Sequence, residues 1–507
     1  MRLALLTLFA VLVGCATKLP EEDRRPLRDG MRVRPLGPLS GARVGSRRPR
    51  VRWTAEGPAR PVMVEFCRDR GCTQVIERVE ARGGTGVPAS PLPEGTVFWR
   101  VQDPSRVGEG ATSGVWWFRV SRGLRDAGGV AWRMRGAIDL DGDGVEDAMG
   151  PDGLVRTGSL RGARIEATGT MPFDGGDLDG DGHPEVVVAT PAVRGYTGEV
   201  RVYRTPLQPG MNEPAWTMAG SDAGMHFGAG VAAGDFDGDG YGDLAVGVPG
   251  WQSERGRVLV YRGSPAGLAT TPAATVDSPL GIGQFFTALG AGDVRGEGVD
   301  ALLTGAQGAA IVGTSAAGLY TFRPGLVAVP WWNLLREGTG FAATGVLCDV
   351  SGDGRLDAVV SSGRDRLDRG CIRVYPADSA GVFADADRAS FCTSLPMDGL
   401  DFGRDLGAGD LNGDGVVDLV ATITDGPEGP QRFFVQYGGA RLFLEEAGEV
   451  REAPTAGLAA FGHFLVGDLD GDGYADVAAF GRGPQGWQGW RYRGGPTGLA
   501  MTPDAEL

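Results

Sequence analysis

The 507-residue sequence predicts an all-β protein built largely from one repeated unit, and three observations carry that reading. An Asp-rich stretch recurs with its first Asp at Asp139, Asp177, Asp235, Asp293, Asp349, Asp410 and Asp468, at spacings of 38, 58, 58, 56, 61 and 58 residues. A period in this range marks a propeller, a solenoid or an array of supersecondary units. The chain also holds 87 Gly and only 8% aromatic residues, and it lacks long helical periodicity, which suits many turns and short strands. Finally, residues 31–122 have a different texture: short alternating apolar runs with turn residues between them, the pattern of a small antiparallel sandwich.

The best-preserved copy runs from Gly234 to Pro249, GDFDGDGYGDLAVGVP. Asp235, Asp237 and Asp239 stand at alternate positions, and Gly238 and Gly240 between them allow a tight loop with positive φ. Asp243 closes the loop, and Leu244-Ala245-Val246 reads as a strand. Oxygens at positions 1, 3, 5 and 9, with the backbone carbonyl of Tyr241 at position 7, can converge on one hard cation such as Ca²⁺. The start of an EF-hand loop uses the same spacing, but strand-like flanks and the lack of Glu at position 12 argue against an EF-hand.

These residues resemble the FG-GAP/VCBS repeats of integrin-α-like β-propellers. The family pattern is Phe-Gly, a short apolar strand, Gly-Asp, the acidic loop, Asp-Leu and Gly-x-Pro. Phe227-Gly228 through Pro249 match it nearly throughout, and Phe402-Gly403 and Phe461-Gly462 open later copies. The resemblance covers about residues 128–507 and implies a seven-bladed β-propeller. After Tyr492–Leu499 (YRGGPTGL) only eight residues remain for an outer strand. Val130–Met134 (VAWRM) is similar to Pro214–Met218 (PAWTM), so it is expected to complete the last blade and close the ring.

Taken in order, the chain opens with Arg2, an apolar run Leu3–Val13 and Cys15, which reads as a signal peptide over residues 1–15. Leu12-Val13-Gly14-Cys15 resembles a bacterial lipobox, which implies Cys15 as the lipidated residue; an ordinary signal peptide with an incidental Cys is the alternative. Asp is absent after Cys15, so the resemblance implies the outer membrane of the bacterial cell envelope. Residues 16–30 are polar and read as a tether. In the 31–122 module, Phe98-Trp99-Arg100-Val101 and Trp116-Trp117-Phe118 weakly resemble fibronectin type III-like modules; core packing is the favoured account of the Trp residues. Cys67 and Cys72 bracket four residues, and in an exported protein this spacing suits a disulfide on a hairpin, with a metal pair as the alternative. Cys348, Cys371 and Cys392 fall in the fifth repeat; Cys371–Cys392 would join adjacent strands, although Cys348 is a competing partner.

Six of the seven loops keep the ligand pattern. Loop 1 has Asp139, Asp141, Asp143 and Asp147 with the Val145 carbonyl; loop 2 has Asp177, Asp179, Asp181 and Glu185 with His183 at position 7. Loop 3 is the stretch above. Loop 5 has Asp349, Ser351, Asp353 and Asp357 with Arg355 at position 7. Loop 6 has Asp410, Asn412, Asp414 and Asp418 with Val416, and loop 7 has Asp468, Asp470, Asp472 and Asp476 with Tyr474. Ser351 and Asn412 each replace a charge, so sites 5 and 6 are expected to bind more weakly. Loop 4 reads Asp293, Arg295, Glu297 and then Asp300 one residue early; a cation at position 3 and a deletion leave it without metal, with Arg295 able to pair with Asp293. About six Ca²⁺ sites are therefore expected.

The net charge is −15, while the six intact loops hold 22 acidic candidate ligands, which leaves +7 for everything else. The acidity is local to the loops, and it argues against nucleic acid as a partner. No G-x-S-x-G elbow, H-E-x-x-H or P-loop occurs, and none of the three His sits in a catalytic pattern. No D-x-S-x-S pattern occurs either, so an inserted integrin-type ligand domain is not implied. The expectation is a non-enzymatic, calcium-binding surface protein, anchored to the membrane by lipid and engaging a surface protein or glycan. The alternatives are a surface enzyme or enzyme accessory of phospholipase-like or glycan-processing type, and a purely structural envelope protein.

Overall fold

A computed structural model of the protein describes residues 33–507 outside positions 38–41, 45–47, 50, 56–60, 70, 83, 94, 105–111, 114, 121–130, 133–137, 142–144, 167–171, 180–182, 208–212, 240, 279–284, 296–298, 308–313, 338–340, 354, 363–369, 379, 385–388, 393–399, 413–415, 426–430, 440–447, 453–459, 471, 473 and 484–485. The expected signal peptide, Cys15 and the tether lie outside the described residues, as do Asp143, Asp181, Glu297 and Asp414.

The chain is all-β, with seven blades following a small sandwich. In blade 3, Val231–Gly234, Asp243–Val248, Arg257–Tyr261 and Ala274–Asp277 pair in sequence order, each antiparallel to the last. Blade 2 (Phe173–Asp174 to Trp216–Ala219), blade 5 (Phe341–Cys348 to Ala389–Cys392), blade 6 (Leu400–Gly409 to Glu449–Glu452) and blade 7 (Ala460–Gly467 to Ala505–Glu506) repeat this meander. Blade 4 has the same order, from Phe285–Gly292 to Val327–Glu337. Blade 1, the shortest repeat, is held by three antiparallel bridges: Ile138 with Asp147, Met149 with Val155 and Leu154 with Arg164. The first strands of blades 3 to 7 pack side by side in turn, which forms the wall of the ring.

Second strands show why these sequences fold so. Val186–Thr190 and Asp243–Val248 are buried along their whole length, because each is covered by a neighbouring blade on both faces. Such strands read as continuous apolar runs and not as alternation. Each fully buried Val or Leu contributes roughly 1.5–3 kcal/mol.

The ring closes differently from the sequence expectation. Ala131–Trp132 pairs with Ala42–Val44 of the N-terminal module and with Gly292 of blade 4, so it does not join blade 7. Blade 7 completes itself: Ala505–Glu506 pairs with Trp490 and Arg491, and Arg491 holds Asp504 at 2.6 Å. A two-residue bridge needs little chain, so the eight residues after Leu499 suffice. Blade 1 then meets blade 7 by side-chain packing: Ala148 sits among Leu465, Leu469, Ala478 and Phe480. Arg156 stacks on Phe480 and donates to the Trp487 carbonyl at 3.2 Å.

The N-terminal module is a two-sheet sandwich. Val33–Gly37, Val51–Ala55 and Thr85–Gly86 form one sheet; Val75–Ala81, Val62–Cys67, Gly95–Gln102, Trp116–Val120 and Ala42–Val44 lie in the other. Trp53, Phe66, Trp99, Trp116 and Phe118 share its core. Cys67–Cys72 and Cys371–Cys392 are both disulfides, and Cys348 is a buried free thiol. Cys371 and Cys392 stand opposite each other in register, whereas Cys348 is paired with Asp357 on another strand.

Candidate metal centres

Hairpin register explains the nine-residue spacing. Gly234 pairs with Asp243, Gly409 with Asp418, Gly467 with Asp476, Cys348 with Asp357 and Ile138 with Asp147. The loop is therefore a hairpin connection, and the ninth residue is the first of the second strand.

That ninth acid is buried and anchors the loop. One oxygen accepts the amide of position 2: Leu140 to Asp147 at 3.0 Å, Leu178 to Glu185 at 2.7 Å, Phe236 to Asp243 at 3.0 Å, Leu411 to Asp418 at 2.9 Å and Leu469 to Asp476 at 3.2 Å. In loop 5 the Ser351 amide takes this place on Asp357, at 2.8 Å. The other oxygen of Asp243, Asp418 and Asp476 accepts the amide of Gly263, Gly438 and Gly494, just past the third strand. A Cβ on any of these glycines would meet backbone carbonyl oxygens at 2.0–2.3 Å, so only glycine permits the approach.

Loop carbonyls in turn hold the next blade. The amide of Gly242 donates to the Asp177 carbonyl, Asp300 to Asp235 and Ala475 to Asp410, at 2.7–2.8 Å. Ser264 donates to Leu178, Gly439 to Val350 and Gly495 to Leu411 at 2.8–3.0 Å. Two carboxylates add a cap from the following blade: Asp300 accepts the Asp235 amide at 2.9 Å, and Glu146 accepts the Asp468 amide at 2.7 Å across the ring closure.

Among the described residues, four carboxylate triads converge with ligand oxygens within 4.8 Å of one another. They are Asp139-Asp141-Asp147, Asp177-Asp179-Glu185, Asp235-Asp237-Asp239 and Asp468-Asp470-Asp472. An all-oxygen donor set with three carboxylates fits a hard cation, and a flexible multi-oxygen loop suits Ca²⁺ better than Mg²⁺. Val145, His183, Tyr241, Arg355, Val416 and Tyr474 all fall at position 7 of their hairpins, where a backbone carbonyl would complete such a set.

The anchoring acids lie in crowded negative surroundings. Burial first, and then the Asp235 and Asp239 carboxylates, push Asp243 up to about 8, against its two amide bonds. Asp476 is pushed to about 8 by burial and by Asp470 and Asp468, and Asp357 to about 7 by burial and by Asp349 and Asp353.

In loop 5, Asp349 accepts the amides of Gly352 and Asp353, while Arg355 pairs with Asp353 at 3.2 Å. In loop 4, Arg295 stacks on Trp331 at 4.9 Å, and Asp300 turns to blade 3. Sequence reasoning missed one set of residues altogether: Arg204, Arg262 and Arg493. Arg204 pairs with Asp179 at 2.8 Å, Arg262 with Asp237, and Arg493 with Asp470. Each directly follows a third strand ending in Tyr, and that in-phase Tyr-Arg was the available signal.

The model of the FG-GAP repeat matches residues 173–203 and 227–261, the strands and loops of blades 2 and 3. The chain carries FG-GAP repeats. Human integrin alpha-IIb is 34% identical over 146 residues, 26% of this chain and 14% of that one. Integrin alpha-5 of Xenopus laevis is 32% identical over 149 residues, covering 26% and 14%. The chain thus spans about a seventh of the length of these relatives. A Bacillus licheniformis rhamnogalacturonan lyase structure aligns over 94% of this chain and 75% of its own at 12% identity, with a TM-score of 0.37.

Proposed function

We propose that this FG-GAP propeller is a calcium-stiffened binding module of a lipid-anchored bacterial envelope protein, which engages a surface protein or glycan without catalysis. The observation that carries the reading is the set of four carboxylate triads, each built into a hairpin that also holds the next blade. Calcium at these corners would fix blade against blade and so hold the opposite face in shape. Integrin-type repeats in blades 2 and 3 support a binding role.

Recognition then falls to the face away from the loops, where second strands end. There the turns 191–198 and 249–256 and the connection 220–228 lie together: Gly224 donates to the Gly195 carbonyl, His226 to Tyr196 and Gly250 to Met225. Tyr196 is 54% exposed and stacks on His226 at 4.9 Å; Arg257 stacks on Trp251 at 4.1 Å. Arg194, Tyr196, His226 and Gln252 all hold positive φ, a strain that clusters at binding sites.

Calcium titration of the purified protein should find about six sites, with affinities of about 10⁻⁴–10⁻³ M; one site or none would refute the metal reading. Capture of envelope proteins and glycans should depend on calcium and fall with Tyr196→Ala. Capture indifferent to chelator and to Tyr196→Ala would point to the purely structural alternative. A hydrolytic turnover lost on mutating acids outside the loops would point to an enzyme.

A further inference from the structure

Resting on the calcium reading, we infer that Arg204, Arg262 and Arg493 are built-in counter-charges that set the affinity of sites 2, 3 and 7. Sites 3 and 7 have the same geometry. At position 3, one oxygen accepts the amide of position 5: Asp239 to Asp237 at 3.2 Å, and Asp472 to Asp470 at 3.3 Å. At position 5, one oxygen accepts the amide of position 7: Tyr241 to Asp239 at 3.1 Å, and Tyr474 to Asp472 at 3.0 Å. The second oxygens of both acids face a guanidinium, and at site 7 Arg491 adds a second one, 3.3 Å from Asp470. Arg262 binds Asp237 and lies 3.8 Å from Asp239; Arg493 binds Asp470 and lies 4.0 Å from Asp472. The arginine thus occupies the oxygens that the loop backbone leaves over, which are the ones a cation needs.

The repeats of this one chain supply the control. Position 3 is Asp wherever the residue after the third strand is Arg: Asp179 with Arg204, Asp237 with Arg262, Asp470 with Arg493. Where position 3 is neutral, the arginine is gone: Ser351 goes with Pro376, and Asn412 with Tyr437. Loop 1 keeps Asp141 at position 3 and satisfies it with neutral donors, the amide and hydroxyl of Ser159 at 3.0 and 2.6 Å. Counting the four ligand positions and every Arg paired to them, site 1 carries −4, sites 2, 3 and 6 carry −3, and sites 5 and 7 carry −2, through Arg355 at site 5 and through Arg491 with Arg493 at site 7. Net site charge, and not the number of acids in the loop, then orders the affinities. Site 1 is tightest, and sites 5 and 7 are weakest. Site 6 equals the fully acidic sites 2 and 3, in place of the weaker binding that its Asn412 alone suggests.

Terbium luminescence excited through Tyr241, in a Tyr474→Phe background, reads loop 3, and calcium is then titrated in competition. Arg262→Gln should tighten both metals at least about tenfold, since it removes a like charge beside the ion. It should also lower the melting temperature of the metal-free protein, whereas Arg262→Lys should leave the affinity near wild type. Arg493→Gln, read through Tyr474 with Tyr241→Phe, should repeat the result at site 7. Unchanged or weaker binding in both glutamine variants would overturn the inference, because an arginine that merely orients the carboxylate predicts weaker binding. Failure of the wild-type protein to take up either metal would instead sink the calcium reading on which the inference rests.

Discussion

Blades 3 and 4 are neighbours with one strand plan and opposite loop chemistry. Loop 3 gathers Asp235, Asp237 and Asp239 and balances them with Arg262. Loop 4 has Arg295 at position 3, and that side chain leaves for the face of Trp331. Yet the bonds between these blades persist: the Asp300 amide and carboxylate both engage Asp235. Loss of the metal pattern therefore did not cost the blade its place in the ring. The hairpin and its hydrogen bonds carry the architecture, and the acids at positions 1, 3 and 5 are an added layer whose oxygens converge closely enough to hold a cation.

The comparison is broken most severely by removing calcium. At tenfold excess over Kd each ion adds about 1.4 kcal/mol by mass action. Chelation should therefore lower thermal stability by several kcal/mol in total, and Arg295→Asp alone should not add a site; calorimetry with and without chelator checks both. Next comes Asp243→Ala, which strands the buried amides of Phe236 and Gly263 and should cost about 3 kcal/mol in denaturant unfolding even without metal. Asp300→Ala removes the cap on the Asp235 amide and should cost about 1–2 kcal/mol. Glu146→Ala should match it, since Glu146 makes the same bond to Asp468 at the ring closure.

The mildest effect is on pH dependence. Asp243 and Asp476 are pushed up to about 8 and Asp357 to about 7. The metal-free native state therefore keeps protons that the unfolded chain has lost. Between about pH 4 and pH 8 its stability should fall as pH rises. Saturating calcium favours the ionised carboxylates and should flatten that slope. Urea unfolding at pH 5 and pH 8, with calcium and with chelator, measures the difference; a metal-free protein more stable at pH 8 would contradict these shifts.

The nine-residue spacing of six of the seven loops was legible because a hairpin is local: Gly234 and Asp243 must face each other whatever surrounds them. The sequence left Cys348 and Cys371 as competing partners for Cys392, and the register of adjacent strands decides for Cys371–Cys392. Pairings between distant segments were not legible. Ala131–Trp132 reads like a blade strand, but two residues of backbone find an edge by geometry, and the available edges were Ala42–Val44 and Gly292.

By itself, then, the sequence determined the repeat, the hairpin corners and the donor atoms that each corner can present, since all three depend on neighbours within about ten residues. Tertiary structure alone decided how the ring closes, with Glu146 capping an amide 322 positions away. It also decided which charges the acids face. Arg262 lies 25 residues beyond Asp237 and reaches it only because the third strand brings the chain back to the loop. Net charge at a site is a sum over everything folded around it, and so it could not be read from the loop alone.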